Sequence, residues 1–164
     1  MRSNRFLMVL AAVLLAGVQP FFGQSPKEKE TKEKQIVKEL LESGRYSIEV
    51  DRAVPMSGPS KHLTTPYTLE LKGDSVSSYL PYFGQAYSIP YGGGKGLIFD
   101  SAVSDYRLNF DKKGTATVKF KSRTDEDNFS YLLQVYPNGS ATVHVTPVNR
   151  QSITFYGELI HDRD

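Results

Sequence analysis

The chain of 164 residues contains no cysteine and no tryptophan, and only one of its segments is a long apolar run. The lack of cysteine excludes disulfide bonds, thiolate metal sites, a catalytic thiol and a lipidated N-terminal cysteine. An excess of one charge is also lacking, because 20 basic residues accompany 18 acidic ones. A nearly neutral chain has no general electrostatic attraction for nucleic acid or anionic lipid. We therefore expect no nucleic acid among its partners.

The apolar run covers residues 6–18 and follows two basic residues, Arg2 and Arg5. Its 13 residues are few for spanning a hydrocarbon core about 30 Å thick, so an uncleaved anchor is the weaker alternative. The layout is typical of a signal peptide, and we predict that residues 1–24 are removed on export. The remaining 140 residues carry 18 basic and 18 acidic side chains. We expect a periplasmic or extracellular protein with no transmembrane segment after cleavage.

The next segment, residues 25–34, is SPKEKETKEK and contains no large apolar residue that could be buried in a core. We predict a charged tether there, or the frayed start of a helix. From Gln35, apolar residues recur at three- and four-residue spacing, which predicts a short amphipathic helix ending at Ser43-Gly44. A helix this short must pack its apolar stripe against another element. The stripe consists of Ile36, Val37, Leu40 and Leu41.

After Gly44 the apolar period changes to two, which predicts half-buried antiparallel strands. Short turns separate the alternating stretches, and Asn138-Gly139 is the clearest of them. We count eight or nine strands in sequence-adjacent hairpins, and residues 35–164 as one domain. Because an open sheet would leave two long edges, we predict a mainly β fold: an antiparallel meander, strongly curved or barrel-like, with one short N-terminal helix. A two-layer β-sandwich is the alternative.

Residues 79–99, YLPYFGQAYSIPYGGGKGLIF, depart from this alternation and combine aromatic residues with prolines and glycines. Proline interrupts a strand ladder, and aromatic side chains carry much of the contact energy at binding sites. The glycine run lacks the Lys-Ser/Thr ending of a phosphate loop. We predict a ligand-binding connection, the alternative being a lid packed over the sheet without a ligand. The candidate binding residues are Tyr79, Tyr82, Phe83, Tyr87, Tyr91 and Arg150.

Several stretches together resemble the DUF4251 family, across about residues 34–160. The most specific are Gly73-Asp74 followed by LPYFG at 80–84, and Asn149-Arg150 leading to Tyr156-Gly157. The resemblance implies a mostly β envelope protein from Bacteroidetes. It supplies no activity, because the family has none assigned.

The residue types that form catalytic or metal sites do not occur in a recognisable motif. The histidines, His62, His144 and His161, lack metal-ligand spacing, and no G-x-S-x-G elbow occurs. The carboxylate pairs Glu49/Asp51 and Asp125/Asp127 are of the kind common on solvated strand faces. We therefore predict no catalytic residues, no metal site and no cofactor.

Three functional hypotheses follow from these features. The first is a non-catalytic envelope binding module for a small amphipathic or apolar ligand, bound by the 79–99 segment. The alternative is an interaction protein for another envelope protein or a glycan. A hydrolase is the least favoured, because it needs a convergent carboxylate pair or an activated nucleophile in a cleft.

Overall fold

The computed structural model describes residues 26–88 and 94–160. Within these residues one helix precedes eight strands. The predicted signal peptide, residues 1–24, lies outside the described residues, as do Tyr91 and His161. The elements are α1 (Pro26–Ser43), β1 (Arg45–Pro55), β2 (Lys61–Lys72), β3 (Ser75–Leu80), β4 (Leu97–Phe110), β5 (Ala116–Arg123), β6 (Asn128–Val135), β7 (Ser140–Pro147) and β8 (Ile153–Ile160).

The strands form a closed antiparallel barrel in chain order, with β8 pairing back onto β1. Buried residues alternate with more exposed ones along β1, β3, β5, β6 and β7, so one face of the sheet lines a common interior. Strands β2 and β4 are exposed along much of their length. Closure removes the two free edges that an open meander would leave. The predicted mainly β, barrel-like meander with an N-terminal helix is confirmed, and the sandwich alternative is wrong because the ladder is continuous around the barrel.

The irregular strand β4 accounts for the uncertainty between eight and nine strands in the sequence-based count. One strand of 14 residues contains both the end of the irregular 79–99 segment and the alternating stretch 106–110. Its pairing with β5 shifts register between Ser104 and Arg107, and Asp105 between them has a positive φ of 55°. A bulge of this kind reverses the side-chain alternation, so β4 does not read as one strand in the sequence.

The core is formed by the inward-facing residues of all eight described strands. Aromatic rings fill part of it: Phe120 stacks on Tyr131 with ring centroids 4.6 Å apart, and Phe99 stacks on Phe129 at the same separation. Aliphatic side chains fill much of the rest. Fully buried examples from six strands are Ile48, Leu69, Leu80, Leu97, Leu133 and Ile153.

Helix α1 covers one end of the barrel. Val37 and Leu41 are buried in the core, whereas Ile36 keeps 48% of its surface exposed, so two of the four predicted stripe residues dock fully. The helix begins at Pro26, and the predicted tether is therefore helical from that residue onward. Gly44 ends the helix with a positive φ of 68°, as expected of a glycine cap. No helix in the described ranges combines the length and apolarity needed to cross a lipid bilayer.

Candidate functional site

Three connections meet at the barrel end opposite α1: β3–β4, β5–β6 and β7–β8. Arg150, in the β7–β8 connection, is only 6% exposed. Its Nε lies 3.3 Å from Oδ2 of Asp127, whose side chain is fully buried in the β5–β6 turn. A buried charge needs a partner of opposite sign and further hydrogen bonds, and this pair has both.

Asp127 organises the backbone around it. Its Oδ1 accepts hydrogen bonds from the N–H groups of Asn128 at 2.8 Å, Val148 at 3.0 Å and Asn149 at 3.1 Å. One carboxylate therefore fixes the β5–β6 turn to the β7–β8 connection. Its role is structural, because its acceptor positions are occupied by the protein itself.

Glu126 extends this cluster to the β3–β4 connection. Its Oε2 lies 3.5 Å from Nη2 of Arg150, and its carboxylate oxygens accept from the Lys95 N–H at 3.2 and 3.3 Å. The Arg150 guanidinium is thus shared between two carboxylates on consecutive residues. Its charge is neutralised within the protein.

The first part of the β3–β4 connection is held by the same residues. Ala86 forms a β-bridge with Arg150, and the Tyr87 N–H donates to the Asn149 carbonyl at 2.8 Å. The Tyr82 hydroxyl lies 2.9 Å from the Gln151 carbonyl oxygen, and the Arg150 guanidinium sits 5.6 Å from the Tyr82 ring centroid. Partial burial raises the pKa of Tyr82, and the Arg150 charge offsets part of that increase.

The predicted aromatic binding residues do not converge. Tyr82 contacts Arg150, and the two help to line a cavity of about 350 Å³. Phe83 lies under Lys61, whose Nζ is 5.2 Å from the ring centroid, and Tyr87 is 68% exposed. Tyr79, on the outer face of β3, contributes instead to a larger cleft.

This larger cleft lies beside the first half of β4. Pairing between β4 and β5 begins at Val103 and Ser122, so residues 97–102 pair with β3 alone. The space between that half-strand and the β5–β6 turn has a volume of about 820 Å³. This volume falls within the range of small-molecule sites.

The cleft is amphipathic. Apolar surface comes from Tyr79, Ile98 and Phe99, while charges of both signs come from Lys95, Asp100, Arg123, Asp125 and Glu126. Tyr79 is stacked on Tyr67, with ring centroids 5.3 Å apart. The apolar side chains lie on β3 and β4 beside Asp100, and Arg123, Asp125 and Glu126 lie at the end of β5 and in the β5–β6 turn.

Buried hydroxyls lie in the barrel near the cleft. Those of Ser101, Ser122 and Tyr131 make no hydrogen bond of good geometry with the described residues, although the Tyr131 hydroxyl lies near those of Ser78 and Ser122. The Ser78 hydroxyl donates to the Leu97 carbonyl at 2.7 Å. Burial raises the pKa of Tyr131. Buried polar groups are normally paired, so these hydroxyls are exceptions in the barrel interior.

Most cleft residues were missed by the sequence analysis. Ile98 and Asp100 were not singled out, because residues 79–99 were interpreted as an irregular connection that ends just before Asp100. A signal was available: no glycine or proline occurs between 97 and 110, as a continuous strand requires. No group of three or more His, Cys, Asp or Glu in the described ranges is arranged to hold a metal ion.

Comparison with known proteins gives the family. The family model "Domain of unknown function (DUF4251)" matches residues 28–159. The chain belongs to the DUF4251 family. It is also similar to the crystal structure of a DUF4251 family protein from Bacteroides eggerthii DSM 20697, with 19% identity and a TM-score of 0.60, covering 79% of this chain and 87% of that one. At this identity the likeness shows a shared fold. A search of curated proteins finds no match.

Proposed function

We propose that this DUF4251 protein is a non-catalytic binding module of the cell envelope, and that a small amphipathic ligand occupies the 820 Å³ cleft beside β4. The predicted signal peptide supports export. The cleft is the observation that carries the proposal, because it joins an apolar wall to charged groups at the edge of the barrel interior.

The cleft differs from the site expected from the sequence, which consisted of the aromatic residues of the 79–99 segment together with Arg150. Tyr79 is the one predicted residue that lines it, and Ile98 and Phe99 supply the remaining large apolar contacts among its described lining residues. Arg150 contributes indirectly, since it holds Glu126 at the opposite wall. Tyr82 and Arg150 thus support the site rather than form its surface.

The test uses n-octyl-β-glucoside below its critical micelle concentration, with the exported protein labelled with ¹⁵N. We expect saturable chemical-shift changes concentrated at Tyr79, Ile98 and Asp100. Tyr79→Ser should weaken binding at least about fivefold, because a large aromatic contact is lost.

Tyr156→Ser is the matched control. Tyr156 is 42% exposed and Tyr79 is 46% exposed, but Tyr156 lies on β8 outside the cleft. We expect this control to leave octyl glucoside binding unchanged. Shifts spread over the whole surface, or equal losses in both variants, would contradict the proposal.

One observation favours the second hypothesis, an interaction with another envelope protein. The half of β4 that lines the cleft pairs with a neighbouring strand on one side only. A strand with one free side can bind an extended segment of another protein.

A further inference from the structure

The backbone of β4 has a free hydrogen-bonding side at the cleft. Residues alternate along a strand, one directing its N–H and C=O to the left neighbour and the next to the right. The Val103 N–H donates to the Asp74 carbonyl at 2.7 Å. In this half of β4 the backbone N–H and C=O groups of odd-numbered residues therefore point toward β3. The backbone groups of Ile98 and Asp100 point the other way, into the cleft.

The Ile98 N–H donates to the Lys95 carbonyl at 3.2 Å. Because pairing with β5 begins only at Val103, the Ile98 carbonyl and the N–H and carbonyl of Asp100 face no neighbouring strand of the described residues, and no described turn or loop backbone group bonds to them. An unpaired donor and acceptor on one residue are what an added antiparallel strand requires.

The side chains on this half-strand define the chemistry of a partner. Ile98 is 42% exposed beside Tyr79, and Asp100 and Ala102 are also exposed. Side chains directly opposite each other on neighbouring strands interact most closely. A matching segment therefore places an apolar residue opposite Ile98 and a basic residue opposite Asp100.

The same argument disfavours a second copy of this chain. Two β4 half-strands pairing around a two-fold axis at Asp100 would place the two Asp100 side chains directly opposite each other. Like charges in that position are destabilising. The exposed acid therefore opposes edge-to-edge dimerisation while it attracts a basic partner.

We propose that the cleft binds an extended peptide segment of another protein, which adds as an antiparallel strand to residues 97–102 and carries a lysine or arginine opposite Asp100. This inference rests on the second hypothesis given under the proposed function, an interaction with another envelope protein, and it assigns the partner to the same cleft. The free stretch accommodates about five or six residues, roughly 17–20 Å of extended chain.

The test measures amide hydrogen exchange and binding by NMR with the peptide acetyl-TVKVV-amide. In the proposed register its lysine lies opposite Asp100 and its last valine opposite Ile98. We expect saturable binding that slows exchange of the Asp100 N–H. A peptide N-methylated at the lysine cannot donate to the Asp100 carbonyl, and it should bind at least about tenfold more weakly.

Charge exchange tests the predicted partner chemistry. Replacing the peptide lysine by glutamate should weaken binding about three- to fivefold, and Asp100→Lys in the protein should reverse this preference. Glu49→Lys is the control, since Glu49 is an exposed acid on β1 with partners on both sides. It should leave the lysine preference unchanged.

The outcomes separate this inference from the proposed function. Absence of peptide binding, binding without protection of the Asp100 N–H, or binding unaffected by N-methylation would each overturn the strand-addition proposal. If octyl glucoside still binds at Tyr79 and Ile98 in that case, the proposed function stands. If neither probe binds at the cleft, both proposals fail.

Discussion

Single residues join the connections at one end of the barrel, and Asp127 is the clearest case. Its buried carboxylate accepts from three backbone N–H groups through Oδ1 and pairs with Arg150 through Oδ2. The sequence analysis placed Asp127 in a carboxylate pair with Asp125 of the kind found on solvated strand faces, and for Asp127 this is wrong because its side chain is buried. Acceptance from distant backbone groups leaves no local pattern in the sequence. Arg150 was singled out as a candidate binding residue, yet its contacts lie within the protein.

Asp127→Asn tests this structural role. An amide nitrogen cannot accept hydrogen bonds, so some backbone N–H groups lose their partner and Arg150 loses a buried counter-charge. We expect the free energy of unfolding to fall by about 2–4 kcal/mol, measured by urea denaturation. The exposed neighbour serves as control: Asp125→Asn should change it by less than about 0.5 kcal/mol. Equal effects would contradict the assignment.

Tyr131 makes stability depend on alkaline pH. Burial raises the pKa of its hydroxyl above the ordinary value of 10.0, so the folded state keeps the proton at a pH where the unfolded chain releases it. The contribution of this protonated hydroxyl to the free energy of unfolding is therefore fully present below pH 10 and is lost as the pH rises above it. Tyr131→Phe should reduce this loss in denaturation measured at pH 9 and pH 11.

The same variant should lower the free energy of unfolding little at pH 7, because the hydroxyl that it removes makes no hydrogen bond of good geometry with the described residues. Tyr156→Phe, at a 42% exposed position, is the control and should leave the alkaline dependence unchanged. An alkaline loss that is identical in wild type and Tyr131→Phe would show that this hydroxyl is not responsible.

The helices and strands whose apolar residues repeat without interruption could be predicted from the sequence. The α1 stripe and the hairpins β5–β6 and β6–β7 follow from alternation and turn residues alone. Strand β4 was not recovered, because the positive φ of Asp105 shifts its alternation midway. The cleft depends on this strand, since pairing with β5 begins only at Val103. The best candidate site was therefore hidden by a single backbone irregularity.

The seam between β1 and β8 closes the barrel, and Gly157 permits that closure. Gly157 lies opposite Val50 at a bulge, and a Cβ added there would overlap the Glu49 carbonyl group and the Val50 Cα. Because these are backbone atoms, the strands would have to separate. We expect Gly157→Ala to lower the free energy of unfolding by at least about 2–3 kcal/mol.

Chemical denaturation followed by circular dichroism measures this effect. Glu158→Ala, at the next and exposed position on β8, is the control and should change the free energy of unfolding by less than about 0.5 kcal/mol. Wild-type stability in Gly157→Ala would mean that β1 and β8 are not closely apposed at this position.

At the scale of the whole molecule, the sequence determined the fold class better than the site. Barrel closure could be expected because an open meander exposes two edges. The position of the cleft could not, because it depends on where two strands separate. Exposed aromatics such as Tyr87 drew attention to the β3–β4 connection, whereas the larger cleft is built mainly from β3, β4 and the β5–β6 turn.

Amide hydrogen exchange of the ligand-free protein tests most directly the claim that the barrel is open beside the first half of β4. We predict slow exchange at Phe99, Ser101 and Val103, whose N–H groups point toward β3, and fast exchange at Asp100 between them. Protection of Asp100 equal to that of Phe99 and Ser101 would contradict the account, because this N–H would then already have a partner and no free strand side would line the cleft.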